Sequence, residues 1–221
     1  MTRLQLRTTV RSILQENTTG YWTDAILNQW MEDGQLDIVW KTNCKRTRGL
    51  FTTVASTRRY TLTTLFTDFL KILKGGISIY DSTNDRWILL EQYTKERLET
   101  EYPSWQTEDA GEPILYEYDA EVGELVIYPM CDTQYVEEDY GECYYVSKPT
   151  AMTGDGSSPD IPVVLHRCLV NYVVATGLES RGYQDIANTQ WAQYAGKLSD
   201  YTSERKIEED GEIMQRSTSW E

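Results

Sequence analysis

Residues 50–80 read LFTTVASTRRYTLTTLFTDFLKILKGGISIY, and the order of apolar runs and turn residues in this stretch decides the fold class. Short runs rich in β-branched and aromatic residues are typical of strands, whereas clusters of small polar residues between them are typical of turns. Four such runs occupy residues 50–53, 60–62, 69–73 and 77–80, with turns at Ala55-Ser56-Thr57 and Gly75-Gly76. Sequence of helical character lies on both sides, so we predict a β-region set between helices.

The strand pattern continues from residue 81 to residue 147. The loop Asp81-Ser82-Thr83-Asn84-Asp85 predicts a hairpin, and residues 91–102 form a brief helical patch that stops at Pro103. The remaining strand-like runs are 87–90, 114–118, 124–128 and 141–147, with a turn at Glu121-Val122-Gly123. Together these runs predict a small antiparallel β-domain of about six to eight strands.

Two helices precede the β-domain. The first is a short amphipathic helix that ends near residues 17–20, and the second begins after Thr23 as N-cap and reaches about Thr42. The two are joined by a few residues and should fold back as an αα-hairpin. Gly34 lies within the apolar stripe of the second helix, where it costs about 1 kcal/mol relative to Ala, and it predicts close helix packing.

Two further helices follow a linker that is rich in Thr, Gly, Ser, Asp and Pro and looks flexible at residues 154–158. Apolar stripes predict one helix from about Val163 to Gly182 and another from Asp185 to about Lys206. We therefore predict an α+β fold in which the N-terminal and C-terminal helix pairs pack as one helical unit around an inserted small antiparallel β-domain. The predicted divisions are residues 1–47 (N-terminal helix pair), 48–148 (β-domain), 149–207 (linker and C-terminal helix pair, packed on 1–47) and 208–221 (extended tail).

Composition indicates a globular protein with a real core. The 221 residues are 40% hydrophobic, and 16 Tyr and 7 Trp stand against 3 Phe. Tyr and Trp suit protein interfaces because their rings carry a polar atom, but they are also favoured on β-sheet faces, so composition leaves both readings open. No apolar run approaches the roughly 20 residues of a membrane span, and the first residues lack the apolar region of a signal peptide.

Charge is unevenly spread along the chain. Residues 1–100 carry 14 basic and 11 acidic residues, a net charge of +3, whereas residues 101–221 carry 7 basic and 24 acidic residues, a net charge of −17. A half this acidic would repel a phosphate backbone, which excludes a conventional DNA-binding protein. Such repulsion would be useful where DNA must pass without sticking, although the acids could equally be a solvated surface that keeps the protein soluble.

No pattern of catalytic, cofactor-binding or metal-binding residues is found. Nucleotide-binding glycine motifs and a nucleophile elbow are absent, and Glu137-Glu138-Asp139 lacks the ligand spacing of a calcium loop. The four cysteines contain no C-x-x-C pair. His166, the only histidine, has no clustered partner and is interpreted as a structural or exposed residue. We therefore expect a protein without cofactors or enzymatic activity.

Several motifs in a fixed order resemble those of one protein family. The second helix reads W-x-D-x-x-L-x-x-W-M-x-x-G-Q-x-D-I from Trp22 to Ile38, and G-x-L-x-I-Y-P runs from Gly123 to Pro129. Between them lies a variant of Y-x-L-x-x-D-F-L-x-I, here with a longer gap between Leu62 and Asp68 and without the usual Pro after the Leu. With Lys148-Pro149, Ile161-Pro162 and the final helix pair, the chain resembles the adaptor proteins of tailed-bacteriophage head-to-tail connectors.

This resemblance implies a virion structural protein that joins the portal to the tail. Members form a twelve-subunit ring beneath the portal and continue the DNA channel, so it implies portal protein, tail or nozzle proteins and further copies of the chain as partners. Genomic DNA would pass without specific binding, the protein would be assembled in the host cytoplasm, and no membrane would be involved. The alternative is a non-viral acidic α+β interaction module that binds a basic partner.

The tail from residue 208 carries too little apolar surface to fold alone, because acidic residues and Arg216 surround its few anchors. We predict that it is mobile in the free subunit and becomes ordered on the portal or on a neighbouring subunit. The predicted interface residues are Ile213, Met214 and Trp220, and Trp220 is the principal anchor because a large ring buries much area at one point.

Overall fold

The structure, a computed structural model, describes residues 1–16 and 20–217, with the backbone alone from residue 206 onward. The helices are α1 (Arg3–Ile13), α2 (Asp24–Thr42), α3 (Leu62–Leu65), α4 (Lys95–Glu101), α5 (His166–Ser180) and α6 (Gln184–Ser217), with short 3₁₀ turns at Thr133–Tyr135 and Val163–Leu165. The strands are β1 (Arg46–Phe51), β2 (Arg59–Thr61), β3 (Phe69–Asp81), β4 (Arg86–Leu89), β5 (Glu91–Tyr93), β6 (Leu115–Asp119), β7 (Glu124–Tyr128) and β8 (Gly141–Ser147). The α+β class, with helices at both ends of the chain and the sheet domain between them, is confirmed.

The chain forms two compact units. The helical unit contains Met1–Lys45 and the chain from Pro149 onward, and the β-unit contains Arg46–Lys148. In the β-unit, a first sheet has strand order β1-β8-β3-β4 and a second sheet has order β2-β7-β6-β5. All pairings are antiparallel except that of β5 with β6, which is parallel.

An aromatic cluster fills the space between the two sheets. All three phenylalanines of the chain lie in it, and they arise from β1, the residue after α3 and the start of β3. The ring of Phe66 stacks on Tyr145 with centroids 4.9 Å apart, while Phe51 and Phe69 contact other rings edge-on or tilted. A Cβ atom at Gly49 would lie 2.4 Å from the ring of Phe66. Any larger residue at this position would therefore collide with the ring.

The predicted turn at Gly75-Gly76 is wrong, because β3 is a single strand of 13 residues. Its pairing with β8 shifts register between Ile72 and Ile77, which is the mark of a β-bulge. Gly75 adopts a φ of +65°, and a Cβ at Gly76 would lie 2.5 Å from the carbonyl oxygen of Tyr144. The two glycines therefore let the strand kink and continue rather than reverse.

Two other local expectations are also corrected. Residues 91–93 form a strand paired with β6, and the helical patch begins only after Thr94, whose hydroxyl accepts a hydrogen bond from Arg97 N. The long gap between Leu62 and Asp68 contains the single helical turn α3, which carries the chain from β2 in the second sheet to β3 in the first.

The helical unit is built around α5, which packs against α1, α2 and α6. The predicted N-cap of α2 is confirmed, since the Thr23 side chain accepts a hydrogen bond from Ile26 N. Close packing at Gly34 is also confirmed, because a Cβ there would lie 2.7 Å from Leu169 Cδ1 and 2.8 Å from Tyr172 Cδ1, both on α5. The absence of a side chain at Gly34 thus lets α2 approach α5.

The linker at residues 154–158 is held by α1 rather than flexible. Asp155 accepts hydrogen bonds from the guanidinium groups of Arg7, at 2.9 Å, and Arg3, at 3.1 Å. The first backbone N–H groups of α1 donate to the linker as well, from Arg3 to the Ser157 carbonyl and from Leu4 to the Asp155 carbonyl. These N–H groups have no partner within the helix, and the linker supplies one.

The last helix is longer than expected. The sequence places its end near Lys206, whereas α6 continues to Ser217. The predicted domain boundaries after residues 47, 148 and 207 stay predictions.

The buried Gly34 in α2 and the exposed Gly196 in α6 give a matched test of the packing at Gly34. Gly34→Leu should lower the free energy of unfolding by about 1–3 kcal/mol, because the new side chain overlaps Leu169 and Tyr172. Gly196→Leu in α6, where nothing lies within 4 Å of the added Cβ, should instead raise it by about 0.5–1 kcal/mol. Urea unfolding of both variants measures this, and equal effects at the two positions would refute close packing.

The pH dependence of stability should report the linker contact. Hydrogen bonds from Arg7 and Arg3 hold the pKa of Asp155 below its ordinary value of 3.8. A lowered carboxyl pKa contributes stability above the unfolded pKa, and this is lost as the pH falls through the folded pKa. Asp155→Asn should therefore lower the urea midpoint at pH 7, and the difference from wild type should shrink below about pH 4. A difference that is the same at pH 7 and pH 3 would contradict this, and Asp109→Asn in the β-unit is the control.

Candidate interaction surfaces

The structure does not bring the three predicted interface residues to a described surface. Ile213 and Met214 lie within α6, where only the backbone is described, and Trp220 lies outside the described residues. Their predicted contact with the portal or a neighbouring subunit therefore stays a prediction.

His166 and three of the four cysteines, the residues considered for chemistry, are buried. His166 is buried, its Nε2 atom lies 3.3 Å from the Ile161 carbonyl oxygen, and burial lowers its pKa. All four cysteines are free thiols, and burial raises the pKa of Cys131 and Cys143 to about 12, which keeps these thiols protonated and unreactive. Within residues 1–16 and 20–217, no group of three or more His, Cys, Asp or Glu residues could hold a metal ion.

The first sheet turns one face to the aromatic cluster and the other, here named the outer face, away from it. The register assigns side chains to the two faces, because Cys143 and Tyr145 lie in the cluster and their neighbours in β8 must point outward. Six side chains of this outer face are Arg48, Leu50, Trp87, Leu89, Glu142 and Tyr144.

The outer face is unusually apolar for a solvated sheet face. Leu89 is 65% exposed, and Leu50, Trp87 and Tyr144 are 38%, 41% and 42% exposed. The solvated face of an antiparallel sheet is normally polar, and large apolar side chains grouped on one face mark an interaction site. An open groove of about 540 Å³, lined in part by Leu89, Lys74 and Gln92, borders the same region.

A charged pair is embedded in this apolar layer. The Arg48 guanidinium donates a hydrogen bond to the buried carboxylate of Glu142, and its Cζ atom lies 6.0 Å from the ring centroid of Trp87. The pair raises the pKa of Arg48, which stays charged. Beside this pair, the Tyr80 hydroxyl donates a hydrogen bond to the Asp85 carboxylate, and the ring of Tyr80 lies 5.4 Å from that of Trp87.

Carboxylates predominate on the other side of the β-unit, beyond the second sheet. A cleft of about 110 Å³, here named the acidic cleft, opens between α4 and the second sheet. Four carboxylates and two cations line it: Glu99, Glu117, Asp119, Glu124, Arg59 and Lys95. Burial, then the neighbouring Asp119 carboxylate, raises the pKa of Glu117. A cation placed in this cleft would relieve the repulsion that raises that pKa.

The helical unit exposes apolar side chains as well. Leu36 and Trp40 lie one turn apart on the exposed side of α2, and Val163 and Val164 are exposed just before α5. No helix in the described part of the chain is long and apolar enough to cross a membrane.

Sequence reasoning did not find the outer face. The run Trp87-Ile88-Leu89 carried the signal, because a short strand that is apolar on both faces needs a cover on each side. The acidic cleft gave no local signal, since Glu99 and Glu117 are brought together only by the packing of α4 on the second sheet.

Comparison with known protein families agrees with the resemblance that the order of the sequence motifs indicates. A family model described as SU10 adaptor protein matches residues 1–217. No curated protein matches the chain. Because the family model spans nearly the whole chain, including both helix pairs and the β-unit, the chain belongs to the SU10 adaptor family, a family of phage head-to-tail adaptors.

Proposed function

We propose that this protein is the structural adaptor that joins the phage portal to the tail, in a ring that continues the DNA channel. The observation that carries this proposal is the match of the adaptor family model to residues 1–217, which includes both units of the fold. The ring lies at the head-tail junction of the virion and is assembled in the host cytoplasm.

The proposed partners are the portal protein, tail or nozzle proteins, and further copies of the chain in a dodecamer. Exposed apolar side chains in both units support several contacts, because Leu36 and Trp40 belong to the helical unit and Leu89 and Trp87 to the β-unit. One subunit thus offers separate surfaces for separate neighbours.

The genome would pass through this ring during ejection without specific binding. Residues 101–221 have a net charge of −17, which disfavours contact with a phosphate backbone. Acidic residues facing the channel would let DNA slide.

The protein acts without catalysis in this proposal. The only histidine is buried, and burial raises the pKa of Cys131 and Cys143 away from the range of a nucleophilic thiol. Membership in a family of structural adaptors supports the same role.

The C-terminal residues are proposed to contact the portal or a neighbouring subunit through Ile213, Met214 and Trp220. These are the few apolar anchors in an acidic segment, so a partner would supply the buried area that the segment lacks. The alternative, a cellular acidic module with a basic partner, has no support from the family match.

Light scattering after size-exclusion chromatography tests the adaptor role. The protein mixed with the portal protein of its phage should elute as a complex whose mass corresponds to a ring of the chain on the portal. Bovine serum albumin, another acidic protein, should not co-elute with the portal. A chain that remains monomeric at high concentration and does not bind the portal would favour the cellular alternative.

Removal of residues 208–221 tests the proposed tail contact. The truncated protein should keep its thermal midpoint within about 2 °C, because the buried hydrophobic side chains described in both units lie between Leu6 and Leu198. It should bind the portal about tenfold more weakly or worse. Trp220→Ala should reproduce much of this loss, and Ser219→Ala is the matched control. Unchanged portal capture by the truncated protein would refute the contact.

A further inference from the structure

We propose that the two edge strands of the first sheet pair with each other between copies of this chain, with β4 of one subunit beside β1 of the next. The inference rests on the proposed function in one respect, since it names a contact between neighbouring subunits of the ring. The occupant of each edge is a second copy of the chain, bound through backbone hydrogen bonds.

The outer edge of β4 is open. β4 is the last strand of its sheet and pairs only with β3. The Leu90 N–H donates a hydrogen bond to the Ile77 carbonyl oxygen, and such bonds involve every second residue of an antiparallel strand. The backbone groups of Trp87 and Leu89 therefore point away from β3. Within residues 1–16 and 20–217, no loop or turn forms a backbone hydrogen bond with this edge.

The outer edge of β1 is open as well, because β1 pairs only with β8. The Tyr80 N–H donates to the Tyr140 carbonyl oxygen, so the even-numbered residues of β8 bond to β3 and the odd-numbered ones to β1. Arg48 and Leu50 lie opposite even-numbered residues of β8, and their backbone groups therefore point to the open side. No backbone hydrogen bond from a loop or turn reaches this edge in the described part of the chain.

The two edges match in direction and in face. Each neighbouring pair in this sheet is antiparallel, so β1 and β4 run in opposite directions within one subunit. When sheets related by rotation are joined around a ring, β4 therefore pairs antiparallel with β1 of the next copy. On both edges the residues with free backbone groups are those whose side chains lie on the outer face, so the faces of the joined sheets stay aligned.

The apolar side chains beside the two edges would be covered by this pairing. Leu89 and Trp87 on β4 are 65% and 41% exposed, and Leu50 on β1 is 38% exposed. All three lie on the outer face, so joining the edges extends one apolar layer from β4 of one copy to β1 of the next. Less of this layer then contacts water, which stabilises the pairing.

Neither edge has the features that usually protect an open strand. Lys and Pro are common protections. β1 reads RTRGLF and β4 reads RWIL, with no Pro, Lys or acidic residue in either strand. The exposed side chains on the edge strands of the second sheet are polar by contrast: Arg59, Thr61, Glu91 and Gln92.

Charge does not oppose the pairing, because the arginines of both strands already interact within their own subunit. Arg48 donates a hydrogen bond to the carboxylate of Glu142, and Arg86 lies 3.3 and 3.6 Å from two carboxylates. Arg46 has an interaction partner as well. The carboxylate of Asp85, just before β4, accepts a hydrogen bond from a tyrosine hydroxyl. Backbone geometry and the apolar layer therefore select the partner.

One contact of this kind uses both edges of the sheet. It joins two different surfaces and is therefore heterologous, and its repetition generates a ring when the rotation closes. In a closed ring every β4 has a β1 beside it, and no edge of the first sheet stays open.

Proline substitutions at the two edges test the backbone contact. Leu89→Pro and Leu50→Pro each remove an N–H group from an open edge and leave the hydrogen bonds to β3 and β8 in place. Leu89→Ala and Leu50→Ala shorten the same side chains but keep the N–H groups. The control is Ala55→Pro in the same unit, at the second position of a turn closed by the Thr57 N–H and the Val54 carbonyl oxygen, where Pro is favoured.

Circular dichroism melts establish that each variant is folded, and Leu89→Lys or Leu50→Lys replaces a proline variant that is not. Sedimentation velocity of the full chain, alone and with portal protein, then measures assembly. Each edge proline variant should assemble at least about tenfold more weakly than wild type, and more weakly than the alanine variant at the same position. Ala55→Pro should assemble like wild type.

Two further results are expected. An equimolar mixture of the two edge proline variants should form dimers that grow no further, because each variant keeps the edge that the other lacks. In wild-type assemblies, amide hydrogen exchange of residues 46–50 and 86–89 should be slower than in the free subunit, since both edges gain hydrogen bonds.

Assembly of both edge proline variants at wild-type strength would overturn the inference. So would a loss with one of them alone, or slower exchange at one edge alone, because the two edges would then not bind each other. In these cases the wild-type ring would remain, and the adaptor role with it. A wild-type chain that never associates, with or without portal, would remove the adaptor role and this contact together.

Discussion

The packing of three phenylalanine rings between two sheets is the constraint on which the β-unit depends. Phe51 enters the cluster from β1, and Phe66 and Phe69 enter it just before β3 and at its start. The three rings fill the cluster only because Gly49 and Gly141 have no side chains. A Cβ at Gly141 would lie 2.4 Å from the ring of Phe51. Removing one ring would leave a cavity that costs about 3–5 kcal/mol, so these contacts set the register of β1, β8 and β3 together.

That register determines which residues are left outside. Because side chains alternate along a strand, placing Cys143 and Tyr145 in the cluster forces Glu142 and Tyr144 outward. Ser78 of β3 pairs with both Glu142 and Leu89, so Leu89 of β4 lies on the same face. The exposed apolar residues Leu89 and Trp87 are therefore a consequence of a fully packed interior, and they cannot be buried by a slip of the strands. The same sandwich that hides the aromatic cluster exposes the apolar outer face on one side and the acidic cleft on the other.

Much of the fold could be predicted because its signals are local. Thr23 caps α2 as its position before an apolar stripe indicates, and the bounds of β7 and β8 follow from strand patterns flanked by turns. The sequence could not distinguish a bulge from a turn at Gly75-Gly76, because a bulge and a turn each use a glycine with positive φ. Which of the two forms depends on pairing with β8, a strand distant in sequence. Asp155 looked like part of a flexible linker, because its partners Arg3 and Arg7 are nearly 150 residues away. The outer face was missed for a similar reason, as its six named members come from three strands that are distant in sequence, β1, β4 and β8.

A reconstruction of the phage neck by electron cryomicroscopy tests the central claim most directly. The account predicts a closed ring of this chain between portal and tail, in which Leu89 of each copy is covered by a neighbouring protein. A neck that lacks the chain would contradict the adaptor role, and a ring in which Leu89 faces solvent would contradict the assignment of the outer face as an interaction surface.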